Sequence, residues 1–374
     1  MRIDLPPPVL ALIASGRRVL TAPPLHATTS GTSPDVLTDY ALRHGMLAWA
    51  PDLVRHDAVI AHMARSLQAV RQLLDIVQRF ERNGIAVVAL KGPAFSQWLY
   101  GDPAARRYND LDLLVSVETR ESARHLLEQI GFQRRIPGAA GDLVYASVGA
   151  WPMVHARQLD VDLHWSLASR RFPPPLDPAD VMRGAVHVPI GGGIVCAPRP
   201  EHAAIITLTH SAKHLWYSLE LPFSIAALVG RTDVDWSLVR ELAVQAGTLR
   251  GAAAGLVLAA ELFALDTPAA FRRDIGLADV RDLCRGARTT LALPPGTFAD
   301  RRLERRLHLL AFDRRADRLL YDVRRLTEPT RAEWEWLSLP SAPAPLYWPA
   351  RLVRLAMIAL NTTSGARDAP PSAH

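Results

Sequence analysis

One segment, between Leu90 and Val115, constrains the fold of this chain more than any other. It reads LKGPAFSQWLYGDPAARRYNDLDLLV: the end of a buried strand, a Lys-Gly turn, a short amphipathic helix, and a second strand headed by two aspartates. Because alternate side chains of a strand share a face, Asp110 and Asp112 lie on one face, roughly 6 to 7 Å apart along the backbone. Two carboxylates this close repel each other unless a cation lies between them. The segment therefore predicts a site for metal-assisted phosphoryl or nucleotidyl chemistry.

Lysine is almost absent from the chain, which makes the two lysines informative. Of the 43 basic residues, Lys91 and Lys213 are lysines and the other 41 are arginines. Such a bias replaces lysine by arginine wherever a surface charge is sufficient. A tight phosphate pocket can distinguish a compact ammonium from the broad guanidinium fork. Lys91 and Lys213 are therefore candidates for positions at which arginine cannot replace lysine. Chance survival is the alternative explanation, and it weighs more for Lys213 than for Lys91.

The composition is that of a globular protein with a sizeable core. Of 374 residues, 49% are hydrophobic and 21% are charged, which is enough for two or three subdomains. No apolar run reaches the ~20 residues that cross a bilayer, and the N-terminal stretch lacks an early positive region and breaks at Pro6, Pro7 and Pro8. With two cysteines, Cys196 and Cys284, we expect no disulfide framework and a cytoplasmic location.

The net charge of +6 raises the question of a nucleic-acid partner. The arginines, however, are spread along the whole chain, and no basic motif interleaved with aromatic residues occurs. We therefore expect neither nucleic acid nor a membrane as a partner.

Apolar spacing predicts alternating helices and strands around the acidic pair. Residues 58–83 show helical spacing and end in an Asn-Gly helix stop, and residues 85–90 form a buried strand. Residues 93–100 form the next helix, because a proline is favourable in a first turn. Residues 111–117 form the second strand, and residues 122–130 form the helix that follows it.

A later strand carries further acidic residues. Residues 159–167 alternate strictly, with Asp160, Asp162 and His164 on one face and apolar residues on the other. A glycine-rich turn predicts a hairpin over residues 186–195. Weaker strand predictions cover residues 132–136, 143–148 and 153–157.

The remaining segments are predicted to be mainly helical. Residues 1–56 suit small helices and loops, and residues 301–326 suit one strong helix with a basic outer face. We expect the chain beyond Thr362 to be disordered. Other helices are predicted over residues 201–219, 238–247 and 251–265.

One of these helices presents a polar face. His210, Lys213 and His214 lie at positions i, i+3 and i+4, so they share a side. A zinc site is disfavoured, because Ser211 stands where a zinc protease motif requires Glu. The face either points into a cleft and contacts nucleotide phosphates or packs against a neighbouring helix.

These motifs together resemble a known family. The turn Leu90-Lys91-Gly92, Arg106 four residues before the D-L-D-L-L-V strand, and the later D-L-H-W strand that begins at Asp162 are similar to the uncharacterised nucleotidyltransferase family of the DNA polymerase β-like superfamily. The resemblance covers roughly residues 67–268. The combination is fairly specific, whereas each motif alone is weak.

The resemblance implies an α+β fold, with a small mixed β-sheet nucleotidyltransferase core, helices around it and a helical C-terminal region. We expect four parts: an N-terminal region of helices and loops, the α/β core, a helical domain that completes the cleft, and a C-terminal extension. Their predicted bounds are residues 1–56, 57–198, 199–330 and 331–374.

The resemblance also implies a two-metal transfer of a nucleoside monophosphate from an NTP, with ATP expected as co-substrate. Asp110 and Asp112 would hold Mg²⁺ on the triphosphate, and Asp162 would complete a second Mg²⁺ site and help deprotonate the acceptor. Asp160 shares the face of Asp162, and the D-L-H-W match alone favours Asp162. The residue types agree with this, because carboxylate oxygens suit a hard cation such as Mg²⁺ rather than zinc.

The other site residues would contact the nucleotide. Lys91 and the Gly92 backbone would approach the phosphates, where most superfamily members use a Gly-Ser pair. Arg106 would clamp a phosphate or pair with an active-site acid. The remaining predicted nucleotide contacts are His164, His210, Lys213 and His214.

The sequence does not identify the acceptor. It would offer a hydroxyl or phosphate group on a small molecule, a peptide natural product, a protein or an RNA end. A competing hypothesis is a non-catalytic module that retains the nucleotidyltransferase fold and binds a peptide or protein. The presence of all three candidate carboxylates argues against that alternative.

Overall fold

The computed structural model describes residues 5–21, 32–297, 299–337 and 344–361. A five-stranded mixed sheet is the part of the fold that carries the acidic residues. Its strands are β1 (Val88–Ala89), β2 (Asp110–Leu114), β3 (Gln133–Arg134), β4 (Ala150–Val154) and β5 (Asp160–His164). They run in the order β1-β2-β5-β4-β3, in which β2 and β5 are parallel and the other pairs are antiparallel.

Helices and a separate hairpin make up the other regular elements of the described chain. The hairpin consists of β6 (Val186–Ile190) and β7 (Gly193–Ala197), as the glycine-rich turn predicted. The helices up to this hairpin are α1 (Pro7–Val19), α2 (Pro34–His44), α3 (His56–Arg82), α4 (Gly92–Tyr100), α5 (Arg120–Gln129), α6 (Gly138–Ala146) and α7 (Pro178–Arg183).

The chain after the hairpin is helical, which confirms the predicted α+β class with a helical C-terminal region. Within the described ranges, no helix is both long enough and apolar enough to span a bilayer. The helices are α8 (Pro200–Lys213), α9 (Glu220–Val229), α10 (Trp236–Ala246), α11 (Leu249–Phe263), α12 (Ala278–Leu291), α13 (Arg301–Ala311), α14 (Arg315–Thr327), α15 (Arg331–Leu337) and α16 (Tyr347–Asn361).

One face of the sheet is apolar and closes the first of two hydrophobic cores. Leu111 and Leu113 of β2 and Val161 and Leu163 of β5 are buried on this face. Helices α3 and α5 cover them, because the apolar stripe of α3 that the helical spacing predicted lies in the same core. The alternation of strand side chains therefore sends the aspartates of β2 and β5 to the opposite face.

The helices after the hairpin form the second core. Buried side chains of α8, α9, α11 and α12 pack together, and α1 joins the same cluster. Leu90, Phe95 and Leu114 also belong to it. The second core thus reaches the sheet beside the Lys91-Gly92 turn, and the end of α8 lies near the acidic face.

Two predicted elements differ from the structure. Residues 143–148, predicted as a strand, lie mostly in α6, because Gly141, Val144 and Tyr145 are buried at the i, i+3, i+4 spacing of a helix. The single helix predicted over residues 301–326 is two helices, α13 and α14. The break has a reason: the Asp313 carboxylate accepts hydrogen bonds from the first backbone N–H groups of α11. The predicted disorder beyond Thr362 lies outside the described residues.

Replacing the buried Leu163 should test the apolar face of the sheet. Leu163→Ala should lower the free energy of unfolding by about 2–5 kcal/mol, because it leaves a cavity in the core. Leu67→Ala, at a position on α3 that is 67% exposed, is the matched control and should change it by less than about 0.5 kcal/mol. Urea unfolding measures both, and equal effects would contradict this packing.

Candidate active site

The acidic side chains of β2 and β5 meet on the polar face of the sheet. In the parallel register, Asp112 lies opposite Asp162, and Asp110 lies opposite Asp160. One oxygen each of Asp112 and Asp162 and one ring nitrogen of His164 all lie within 4.8 Å of one another. Two strands that are fifty residues apart along the chain thus contribute to one potential metal site.

Asp112 is held by two cationic or polar partners. Lys91 Nζ donates to Asp112 Oδ1 at 3.2 Å, and His164 Nε2 lies 3.0 Å from the same oxygen. Burial alone would raise the pKa of Asp112, but Lys91 and His164 outweigh it and hold this pKa well below its ordinary value. Asp112 is therefore the permanently charged member of the acidic group.

Asp110 has the opposite electrostatic character. Burial, followed by the negative charges of Asp112 and Asp162, raises the pKa of Asp110 to about 7. Lys91 and His164 compensate only part of this effect. A divalent cation near the three carboxylates would remove the repulsion, so the donor set fits a hard cation that prefers oxygen ligands.

The Lys91-Gly92 turn leaves space in front of the start of α4. Gly92 has a φ of +70°, a conformation that favours glycine, and an added Cβ there would meet nothing nearer than Leu111 Cδ2 at 3.8 Å. No side chain caps this nine-residue helix. The helix begins directly after Lys91, which bonds Asp112, so the positive end of its dipole follows the residue that contacts the carboxylates.

The polar end of α8 lies at the same site. Burial and the charge of Lys91 lower the pKa of Lys213 to about 8, while Asp112 and Asp162 act in the opposite direction. His210 and His214, whose ring centroids are 4.4 Å apart, are half-buried, and desolvation and the nearby lysines keep both pKa values well below the ordinary one. Both lysines of the chain thus act on one cluster of charges.

Arg106 does not pair with any of the three predicted acids. Its Nε donates to Glu220 Oε1 at 2.5 Å, and both side chains are almost completely buried. Burial would lower the pKa of Arg106, but the Glu220 carboxylate raises it above its ordinary value. An added Cβ at Gly45 would lie 2.1 Å from Glu220 Oε2, so this turn needs glycine to leave room for the ion pair.

Sequence reasoning missed Glu220 and Tyr217. Glu220 begins α9 and is 114 residues from Arg106, and no local pattern links the two positions. Tyr217 is close enough to Asp110 and Glu220 for their charges to raise its pKa, although burial raises it more. It follows Leu215 and Trp216, which adopt positive φ values of 51° and 49°. A buried Leu-Trp pair in that conformation has no signature in the sequence.

Asp160, the alternative third acid, has its own partner. Arg135 Nη2 donates to Asp160 Oδ2 at 2.5 Å, and the group of potential metal ligands, Asp112, Asp162 and His164, contains neither Asp160 nor the predicted ligand Asp110. Within the described part of the chain, Asp162 is the β5 carboxylate that lies with Asp112.

These features define a protein of the nucleotidyltransferase class: a small mixed sheet with acids on two parallel strands and a lysine-glycine turn beside them. A family model described as "Uncharacterised nucleotidyltransferase" matches residues 43–264, which is more than half of the chain. The protein belongs to this family, as the motifs indicated.

Comparison with known proteins adds little beyond the family. No curated protein matches the chain. It is similar to the crystal structure of an antigenic nucleotidyltransferase-like protein from Paracoccidioides brasiliensis, with 17% sequence identity and a TM-score of 0.33 over 55% of this chain and 97% of that chain. We base no inference on a likeness of this degree.

The raised pKa of Asp110 predicts a pH-dependent gain in stability for Asp110→Asn. A carboxyl whose pKa is higher in the folded state than in the unfolded state loses stability as the pH rises between the two values, here from about 4 to about 7. Without divalent cations, the variant should therefore be more stable than the wild type at about pH 8 and similar to it at about pH 4. Thermal unfolding in EDTA measures this, and an equal gain at both pH values would contradict it.

Proposed function

We propose that this protein is a Mg²⁺-dependent nucleotidyltransferase that moves a nucleoside monophosphate from an NTP, with ATP expected, to an acceptor hydroxyl or phosphate. The observation that carries the proposal is the meeting of Asp112 and Asp162 across the parallel strands, with Asp110 and Lys91 beside them. Family membership supports the reaction class.

The three carboxylates are assigned as the metal ligands. Asp110, Asp112 and Asp162 supply oxygen donors; burial and the charges of Asp112 and Asp162 raise the pKa of Asp110, and a buried group of carboxylates favours a bound cation. When bound, the divalent ions would neutralise charge on the triphosphate and activate the acceptor hydroxyl. His164, which bonds Asp112, suits Mg²⁺ poorly as a ligand, so we assign it to orienting this carboxylate.

The positive groups next to the acids are assigned to the phosphates. Lys91 and the Gly92 backbone would bind phosphate oxygens, and Lys213 would offset charge on the leaving pyrophosphate. His210 and His214 form the neighbouring wall, where neutral imidazoles can donate hydrogen bonds. Asp162 would accept the proton of the acceptor hydroxyl.

Arg106 is assigned to positioning. Its buried pair with Glu220 connects the loop before β2 to the start of α9, so it fixes the two acids of β2 relative to the helical domain. Removing one partner would leave a buried charge without compensation. The acceptor remains a small molecule, a peptide natural product or a protein.

Metal binding should stabilise the protein through these carboxylates. Mg²⁺ or Mn²⁺ should raise the thermal midpoint of the wild type, because a ligand that binds only the folded state stabilises it. Asp112→Asn and Asp162→Asn should lose the shift, whereas Asp160→Asn, on the same strand but paired with Arg135, should keep it. If both Asp112→Asn and Asp162→Asn keep the metal-induced rise of the thermal midpoint, the cation binds elsewhere.

Nucleotide binding should depend on both the metal and Lys91. In calorimetry with Mg²⁺ and each of the four NTPs, at least one should bind, and EDTA should abolish the binding. Lys91→Arg should weaken it by roughly tenfold, because the guanidinium fork does not fit where Nζ meets Asp112. Arg79→Lys, an exposed position on α3, is the control. Absence of binding for all four nucleotides would overturn the proposal. Binding of a peptide or protein partner with the same affinity in the presence and absence of Mg²⁺ would also overturn it.

A further inference from the structure

The C-terminal helices expose an unusually large apolar surface. Of the twenty large hydrophobic side chains that are exposed in the described chain, ten lie between residues 319 and 357. We define the C-terminal apolar face as the exposed apolar side chains of α14 and α16, two helices that contact each other. Its members are Leu319, Leu320, Val323, Leu326, Trp348, Leu352, Val353 and Met357.

The orientation of α16 is fixed by its charged residues. Arg351 Nη1 and Arg354 Nε donate to Glu333 Oε1 at 3.0 and 2.5 Å, and the Glu333 side chain is completely buried. The arginines of α16 therefore point inward, and all exposed residues between 345 and 357 are apolar. An apolar patch of this kind on a soluble domain marks a contact surface.

Basic residues border this face. Residues 301–361 contain twelve arginines and seven acidic residues; without the inward-pointing Arg351 and Arg354 and the buried Glu333, ten arginines and six acidic residues remain, a net charge of +4. A groove of about 240 Å³ next to α14 is lined by Leu320 of the apolar face, by four arginines and by one acidic residue, Asp317. These arginines are Arg170, Arg171, Arg314 and Arg324.

We propose that the C-terminal apolar face and its arginine border dock the protein onto the surface of an anionic phospholipid bilayer. Apolar side chains with a tryptophan would enter the interface, and the arginines would bind lipid phosphates. This contact requires no spanning helix, and it differs from the expectation of no membrane partner that the sequence suggested. It does not depend on the proposed activity.

Charge favours a membrane over a second copy of the chain. A two-fold contact places the same patch on both sides, so two arginine borders would face each other. Like charges at such a contact are unfavourable. Anionic headgroups complement the same border, and an apolar centre with a basic rim is the pattern of an interfacial helix.

Sedimentation with vesicles tests the docking of the full chain. The wild type should bind phosphatidylcholine vesicles that contain phosphatidylglycerol and bind pure phosphatidylcholine vesicles at least tenfold more weakly. The triple variant Leu319→Ser, Val323→Ser, Leu352→Ser should lose binding by more than tenfold. Its control is Ile60→Ser, Met63→Ser, Leu67→Ser, on exposed residues of α3, and should bind as the wild type does.

A charge variant separates the lipid headgroups from the apolar contact. Arg170→Gln with Arg314→Gln should weaken binding to the anionic vesicles by about 25-fold, because both arginines line the groove and one arginine near such a surface contributes about fivefold. Arg71→Gln with Arg79→Gln, two exposed positions on α3, should have no effect.

Three results would overturn the proposal. The first is no sedimentation with anionic vesicles, and the second is equal binding to neutral vesicles. The third is light scattering that shows a dimer for the wild type and a monomer for the triple serine variant. Circular dichroism of each variant shows that it is folded.

Discussion

The parallel pairing of β2 with β5 is the constraint on which the rest of the site depends. A parallel pair requires a long crossover connection, and here the chain passes through α5, β3, α6 and β4 between the two strands. The register sets Asp112 opposite Asp162, and a shift of β5 by one residue would send the Asp162 carboxylate into the apolar core. The burial of Leu111, Leu113 and Leu163 prevents that shift, so the hydrophobic core also fixes the acidic site.

The carboxylates that meet in the site repel each other, and the surrounding residues compensate the charge of Asp112 more than that of Asp110. Lys91 and His164 both lie next to Asp112, which stays charged, while Asp110 carries the remaining repulsion. Burial and the charge of Lys91 lower the pKa of Lys213, the second ammonium group of the site. A site in which carboxylates and ammonium groups lie close together suits a ligand that brings both a cation and phosphates, which is the basis of the proposed reaction.

The helical region completes the site in two ways. The end of α8 brings His210, Lys213 and His214 to the acids, and the start of α9 brings Glu220 to Arg106. The turn between these helices holds Leu215 and Trp216 at positive φ, with Trp216 fully buried. Such a conformation costs free energy, and the packing of the second core around Trp216 maintains it.

The amino-acid sequence by itself determined the local elements and the chemistry they carry. The sequence predicted the alternation of β5, the Lys-Gly turn, the acids at the start of β2 and the importance of the two lysines. It could do so because strand and turn preferences act within a few residues. It also predicted one helix over residues 301–326 and a strand over 143–148, both incorrectly, because tertiary contacts of Asp313, Val144 and Tyr145 decided those segments.

Only the tertiary structure decided which residues share the site. It placed Asp162 rather than Asp160 beside Asp112, gave Arg106 the partner Glu220, and set both lysines next to one charge cluster. It also turned the arginines of α16 inward, which left an apolar surface outside. Contacts between residues a hundred positions apart follow from how the two cores pack, and neither periodicity nor local propensity encodes that packing.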